Sequence, residues 1–571
     1  MTAPSSRQDC QDASRREVLL VACTLTGVVA LYVVNAAMHG ALGASRNDDW
    51  AYLRVVSRFA ETNEFSLDGW THMAFIGQAL LAWPIAKLSE SSIAAMQMLV
   101  AFTAVGGVFA CHLTMRTFAR PFIAGGALAL LMIGPIFGSM ATSFMTDVPA
   151  FCFQMVTMLC GARLVRSGWS SGLFVTMCVA GVVAGSIREY GLVVLATAIA
   201  LVWLYDRPIG RERTVFSGTA VASGLAAGLM LLWRAGVPNG DPMGVPFTWI
   251  LTLEHFVNGA RAVSRALLTL GVLVAPVAAM AFSGRVVRAM RTAPWRTVWI
   301  VAVWLGVVAL SQRQWIGNYV TPFGSYRPLI GGSTPVVLSP QVDTLVRWVG
   351  VMSLLSLLLL VGFGGSESRV RDRTRWNFVT TFRSLSPERA ARYSVLVSVI
   401  VLFSVHVALT LTSNTPFFDR YLIAFVPLVV ALAATSGLLA GETVNAFSRV
   451  LGVALVAGLG LLGFAFVDAS ATIDGAKWRF GERLEAAGFE ARTIDAGFEW
   501  FNFHQQGVAR QEPGPDRNWW TSFYAQTPVC VTVVAGGHAE VNQDPAVGRF
   551  VARSALGAPY VFDAVIGPSD C

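Results

Sequence analysis

Long apolar blocks follow one another along most of this chain, separated by short loops in which arginines collect. Blocks of this length, nearly free of charge, satisfy their backbone polar groups in lipid only as helices, so the pattern constrains the chain to a polytopic helical membrane protein. Charged residues are 13% of the 571 and hydrophobic residues 54%, against about 25% charged in soluble domains. The net charge of +8 lies mostly in the short loops, as expected of cytoplasmic loops, and is no nucleic-acid signal. No Walker motif or Cys/His metal spacing is present.

The charge rule sets an order of spans. The first, 18–40, follows Arg15-Arg16 and has no small-residue cleavage site after it, so it reads as an uncleaved span with the N-terminus in the cytoplasm. A first outer loop, 41–91, follows, with an amphipathic surface helix over 50–60. Its apolar part, 73–88, is short for a span and contains Trp83-Pro84. It fits the charge rule better lying in the interface than crossing. Further spans are expected at 92–115, 121–140, 148–165, 171–187, 190–205, 214–233, 263–283, 297–312, 346–363, 394–412, 422–440 and 448–467. That makes about thirteen, with the strongest cytoplasmic marker in the basic loop holding Arg369, Arg371, Arg373, Arg375, Arg383, Arg389 and Arg392.

Two domains result: a polytopic membrane domain, 1–468, and a small extracytoplasmic α/β domain, 469–571. In the second, Lys477 to Gly488 reads as helix, and 491–494, 529–535 and 560–566 read as strands. It holds only Cys530 and Cys571, a candidate disulfide if that side is oxidising. Cys23, Cys111, Cys152, Cys160 and Cys178 lie in apolar segments and read as packing residues.

Charged residues at the ends of spans are costly unless used. Asp48 and Asp49 follow the first span, within Asn47-Asp48-Asp49-Trp50-Ala51-Tyr52. Asp147 lies in Thr146-Asp147-Val148-Pro149 at the head of the fourth, and an N-cap role would account for it as well. Arg188 sits in a turn beside Glu189, where a local ion pair is the plain alternative, and Arg420 beside Tyr421, where an interface anchor is. All fall on the outer side, in a chain with few other charges there.

The order of these motifs resembles the C-type membrane glycosyltransferases, with protein O-mannosyltransferases and the lipid A aminoarabinose transferase as relatives. The resemblance covers most of 18–468 and is strongest over 46–166. It implies a polyprenyl-phosphate sugar donor, an acceptor glycan, lipid or protein outside the cytoplasm, and a seat in the cytoplasmic membrane. It also implies Asp48 as general base, Asp49 where relatives often carry Glu, and Asp147 orienting the acceptor or the base. Arg188 would face the lipid phosphate, with Arg420, Tyr52 and Tyr421 as weaker substrate-binding matches. No pair of cations in the 313–345 loop can be assigned to phosphate.

The chemistry is consistent. A positioned carboxylate can take the proton of a sugar hydroxyl as it attacks, and fixed cations stabilise the charge growing on a departing phosphate. A single displacement would invert the anomeric centre; a retaining route needs a carboxylate nucleophile. Some relatives use a divalent metal, and Asp48, Asp49 and Asp147 could offer oxygens, but three carboxylates alone are no metal motif. The rival reading is a transporter or a flippase for lipid-linked saccharides, which also places charge in the membrane but should show related halves. No internal repeat is seen.

Overall fold

The computed structural model describes residues 5–567 except 72, 207, 237–247, 280–283, 316, 327, 334, 365–381, 436–445, 507–517, 525 and 537–547. Among the described residues, eight helices are long and apolar enough to cross a membrane: Arg16–Met38, Ile93–Arg116, Asp147–Ser167, Gly210–Arg234, Pro294–Ser311, Pro340–Phe363, Pro387–Thr412 and Ala446–Ala486. Shorter apolar helices run over Pro121–Ile133, Ser171–Ile187 and Gly191–Asp206. In Gly210–Arg234 and Pro294–Ser311 only 11% and 6% of the most apolar window is buried within the protein. Faces so apolar and so uncovered are stable in lipid, not in water.

Several expected spans are shorter or broken, and the causes are local. The 121–140 span ends as a helix at Ile133, because Pro135 follows Gly134 and withholds a backbone donor; a short helix, Phe137–Ala141, then turns the chain. The eighth span begins earlier than expected, as Leu253–Leu273, so Glu254 and His255 stand in its first turn instead of a loop. In place of 422–440 there is a 3-10 turn, Asp419–Ala424, and a nine-residue helix, Val426–Ala434. The segment 73–88 forms only Ile76–Leu88, 13 residues or about 20 Å, too short to cross the roughly 30 Å hydrocarbon layer. Four arginines of the basic marker loop, Arg369, Arg371, Arg373 and Arg375, lie outside the described residues.

The expected boundary at 468–469 falls inside one unbroken helix, Ala446–Ala486. Its 41 residues span about 60 Å, twice the hydrocarbon thickness, so the helix carries the last apolar segment straight into the terminal domain. Two charges just past that boundary are buried with partners: Asp474 meets Arg46 of the first loop, and Lys477 meets Glu499. Close passage at two points depends on glycine. A methyl at Gly463 would meet the Ile133 carbonyl, and one at Gly475 the backbone of His39 to Ala41. Gly475→Ala is therefore expected to lower stability by about 1–3 kcal/mol, read as a fall in apparent melting temperature of the detergent-purified protein.

The terminal domain is built on one sheet in the order β1 (Gly331–Gly332), β3 (Val531–Ala535), β5 (Pro559–Ile566), β4 (Arg549–Arg553), with β2 (Ile494–Asp495) also beside β3. β1 and β2 pair with β3 in parallel; β3–β5 and β4–β5 are antiparallel. β1 comes from the loop between Pro294–Ser311 and Pro340–Gly364, so the sheet is stitched into the helical part. A small core of Ile473, Phe480, Trp500, Val531, Val533 and Phe562 lies beneath it. Cys530 is disulfide-bonded; Cys571 lies outside the described residues.

Candidate functional site

Asp48, Asp147, Arg188 and Arg420 meet at one end of the bundle, beside the terminal domain. Each is placed by the end of a helical element. Asp48 immediately precedes the helix Asp49–Thr62, and Asp147 is the first residue of Asp147–Ser167, with Thr146 in the N-cap position instead. Arg188 closes Ser171–Ile187, and Arg420 lies in the 3-10 turn. An acid at a helix start and a cation at a helix end both suit the helix dipole.

The contacts form a chain. Arg188 donates through Nη2 to Asp147 Oδ2 at 2.9 Å and through Nε to the Thr146 hydroxyl at 2.6 Å. Arg420 lies 3.9 Å by Nε from the same Asp147 oxygen and donates through Nη1 to Asp48 Oδ2 at 3.2 Å. The other oxygen of Asp48 accepts from the Trp70 indole at 3.0 Å. The Asp48 side chain is 18% exposed, against 1% for Asp147 and 6% for each arginine. Asp48 is thus the carboxylate of the group with access to a ligand. Two buried atoms within it lack a hydrogen bond among the described residues: Asp147 Oδ1 and Arg420 Nε. A buried polar atom without a partner calls for an explanation, and a bound ligand is one.

Rings close the rest of the wall. Tyr421 stacks on His406 at 4.8 Å, and Tyr190 packs on both, at 5.7 and 4.9 Å. Arg420 lies over Phe418 at 4.4 Å. Tyr52 is buried against Phe75 at 5.1 Å, within electrostatic reach of Arg188, Asp48, Arg420 and Asp147. Arg188 and Glu189 go to separate partners: Glu189 accepts the Ala74 amide at 2.6 Å and so ties down the segment before the short interfacial helix.

Asp49 differs from its neighbour in kind. It is wholly buried. Its Oδ1 accepts from the Ser45 hydroxyl and the Arg46 amide, both at 2.6 Å, and its Oδ2 from the Phe144 amide at 3.0 Å. Burial pushes its carboxyl up to about 7 against the pull of these donors. The candidate catalytic pair at 48 and 49 is therefore one open carboxylate and one that clasps the loop.

A second charged cluster lies behind the loop. Arg46 reaches Asp474 of the long helix at 3.0 Å and also bonds Ser470 and Thr142; Tyr326 donates to Asp474. Lys477 holds Glu499 at 2.6 Å, and Glu499 accepts the Asn47 amide at 3.3 Å. Asn47 has a positive φ of 55° and bonds the Tyr319 hydroxyl at 3.1 Å. Asp419, beside Arg420, accepts the Tyr319 and Val320 amides at 2.7 Å. The residue before Asp48 and the residue before Arg420 are thus both fixed to the 313–345 loop. Trp70, Tyr190, His406 and Asp419 were not singled out from sequence; the acid directly before Arg420 was the one visible signal among them.

The donor set does not suit a metal ion. Both oxygens of Asp48 and Asp49 are engaged by N–H or O–H donors, and two guanidinium groups flank Asp147. No group of three His, Cys, Asp or Glu among the described residues could hold a metal.

No family model and no curated protein sequence matches this chain. Solved structures do. ArnT from Cupriavidus metallidurans in the apo state shares 14% identity over 95% of this chain and 99% of that one, with a TM-score of 0.35. The same protein bound to undecaprenyl phosphate gives 13%, 95%, 100% and 0.34. The oligosaccharyltransferase AglB from Archaeoglobus fulgidus, with an inhibitory peptide and a dolichol-phosphate, gives 12%, 95%, 74% and 0.38. The chain is similar to these solved structures at scores that leave its function to be argued from its own site.

Proposed function

We propose that this chain is a glycosyltransferase of the cytoplasmic membrane that moves a sugar from a polyprenyl-phosphate donor to a hydroxyl of an acceptor on the outer side. The observation that carries it is the partly open Asp48 carboxylate set beside two buried guanidinium groups that share Asp147. In this reading the donor phosphodiester engages Arg420 and Arg188, and its oxygens satisfy the orphaned Arg420 Nε. A phosphate on Arg420 competes with Asp48 for that guanidinium, which frees the carboxylate to act as a base. The acceptor hydroxyl gives its proton to Asp48 as its oxygen bonds to the anomeric carbon. The bond from that carbon to the phosphate oxygen breaks, and the added charge leaves on the lipid phosphate, held by fixed cations in a low-dielectric site.

The displacement is single and inverting. Asp49 is turned into the fold with both oxygens bonded, so it is not placed as a nucleophile. Asp147 serves by orienting both arginines. The glycan, lipid or protein nature of the acceptor, the extracytoplasmic side of the site and terminal domain, and the cytoplasmic N-terminus belong to the same proposal.

Arg188→Met is expected to reduce transfer by about 10²–10³-fold, the size of one lost charge-stabilising donor. Arg188→Lys should recover only part, because an ammonium cannot reproduce two directed guanidinium bonds. Initial rates with radiolabelled polyprenyl-phosphate sugars check this. Proton NMR of the first-formed product tests the stereochemistry: inversion is expected, and retention would exclude the single displacement.

A further inference from the structure

Beside Asp48 lies a cluster of five aromatic rings from two distant parts of the chain. Trp50 and Trp70 come from the first loop, and Phe498, Trp519 and Phe523 from the terminal domain. Trp70 packs on Phe498 and Phe523, both at 5.6 Å, and on Trp519 at 6.3 Å. Trp519 also packs on Phe498 at 5.5 Å and Phe523 at 5.4 Å. Trp50, Phe498 and Phe523 are buried, but Trp519 is 47% exposed.

Its exposure is built. Asp495 of β2 accepts from the Asn518 amide at 2.7 Å and from the Trp520 indole at 2.9 Å. One buried carboxylate thus grips the residues on either side of Trp519, so the outward indole is held by the sheet. The same cluster reaches the proposed base: Trp70, in contact with Trp519, donates to Asp48 Oδ1 at 3.0 Å. A fixed aromatic face next to a carboxylate matches an amphipathic ring that has one apolar C–H face and a rim of hydroxyls. That is a pyranose. An alkyl chain would use the apolar face but not the carboxylate.

We propose that Trp519 is the acceptor subsite, against which a sugar ring of a glycan acceptor stacks with its hydroxyl rim toward Asp48. The inference rests on the transferase reading and names the acceptor class within it. It makes Trp519 a specificity residue contributed by the terminal domain, and it gives that domain a direct part in substrate choice.

The test is saccharide binding to the full-length protein in nanodiscs, read by saturation-transfer NMR. The probes are the methyl glycosides of glucose, mannose, galactose and arabinose, with their linear trisaccharides. Binding of at least one probe is expected, with saturation strongest on the C–H protons of one ring face. Trp519→Ala should weaken it by about tenfold, the size of a lost aromatic contact. Trp519→Phe should recover most of it, and Trp519→Leu, apolar but without a π face, should not. Trp295→Ala, at an exposed tryptophan elsewhere (63%), should leave it unchanged.

No binding by wild type, or binding indifferent to Trp519→Ala, overturns the inference. So does a Trp519→Ala loss confined to acceptor peptides or to lipid-vesicle contact. The two proposals fail separately. Trp519-dependent saccharide binding by the wild-type protein, with no transfer of label by that protein from any donor, would sink the transferase reading alone. Transfer that depends on Asp48 but not on Trp519 would sink only the subsite.

Discussion

Asp48→Asn is expected to lower the rate of sugar transfer by about 10²–10⁴-fold, the range of a lost general base. The substitution is close to isosteric. An asparagine carbonyl can still accept from either Trp70 or Arg420, which now bond the two carboxylate oxygens at 3.0 and 3.2 Å. Fold and expression should therefore hold, with an unchanged unfolding profile. The donor KM should change little, because the phosphate contacts are assigned to the arginines. Loss of rate at constant donor KM separates a missing base from a damaged binding site. Asp49→Asn should behave differently. It replaces an acceptor of three hydrogen bonds in a sealed position, so its effect should appear first in stability.

Arg46→Met should produce the largest loss of stability. Arg46 is 1% exposed and Asp474 is 2% exposed. Removing the cation leaves a buried carboxylate with Lys477 at 3.7 Å as its remaining cation and with the hydroxyls of Ser470 and Tyr326. Breaking a buried pair on one side costs about 3–5 kcal/mol, because the remaining charge stays desolvated. The double variant Arg46→Met/Asp474→Asn should recover a good part of the loss, since no uncompensated charge remains. A double-mutant cycle on apparent melting temperature checks this; equal losses in the single and double variants would argue that the pair contributes only shape. The pair also joins the first loop to the terminal helix, so Arg46→Met should loosen Asp48 and depress transfer even where the protein survives purification.

The residues of the candidate site were legible in the sequence to the extent that lipid makes charge conspicuous. Asp48, Asp147, Arg188 and Arg420 stood out because each interrupts or ends an apolar run, and the structure brings all four together. The difference between Asp48 and Asp49 was not legible. Adjacent residues at a helix start point in different directions, and only the fold decides which one meets the Phe144 amide. Nor was the second cluster: Arg46 and Asp474 are 428 residues apart, and in the sequence each looks like an ordinary loop or surface charge. The long helix was divided where its apolar run ends near 467, whereas Asp474 and Lys477 beyond that point are buried with partners and the helix continues. Two-residue strands such as Gly331–Gly332 carry no alternation to detect; they exist because β3 offers an edge. The span boundaries failed where Gly134-Pro135 broke a run that hydropathy alone reads as continuous.

The most direct measurement of the central claim is transfer of label by the purified protein in sealed proteoliposomes. These would be loaded with a panel of radiolabelled polyprenyl-phosphate sugars and supplied with a membrane-extract glycan acceptor, wild type beside Asp48→Asn. The account predicts label moving covalently to the acceptor with wild type from at least one donor, and close to none with the folded Asp48→Asn protein. Equal transfer by the two proteins would contradict it, as would movement of intact labelled lipid between leaflets with no label on any acceptor, which is the behaviour of a flippase.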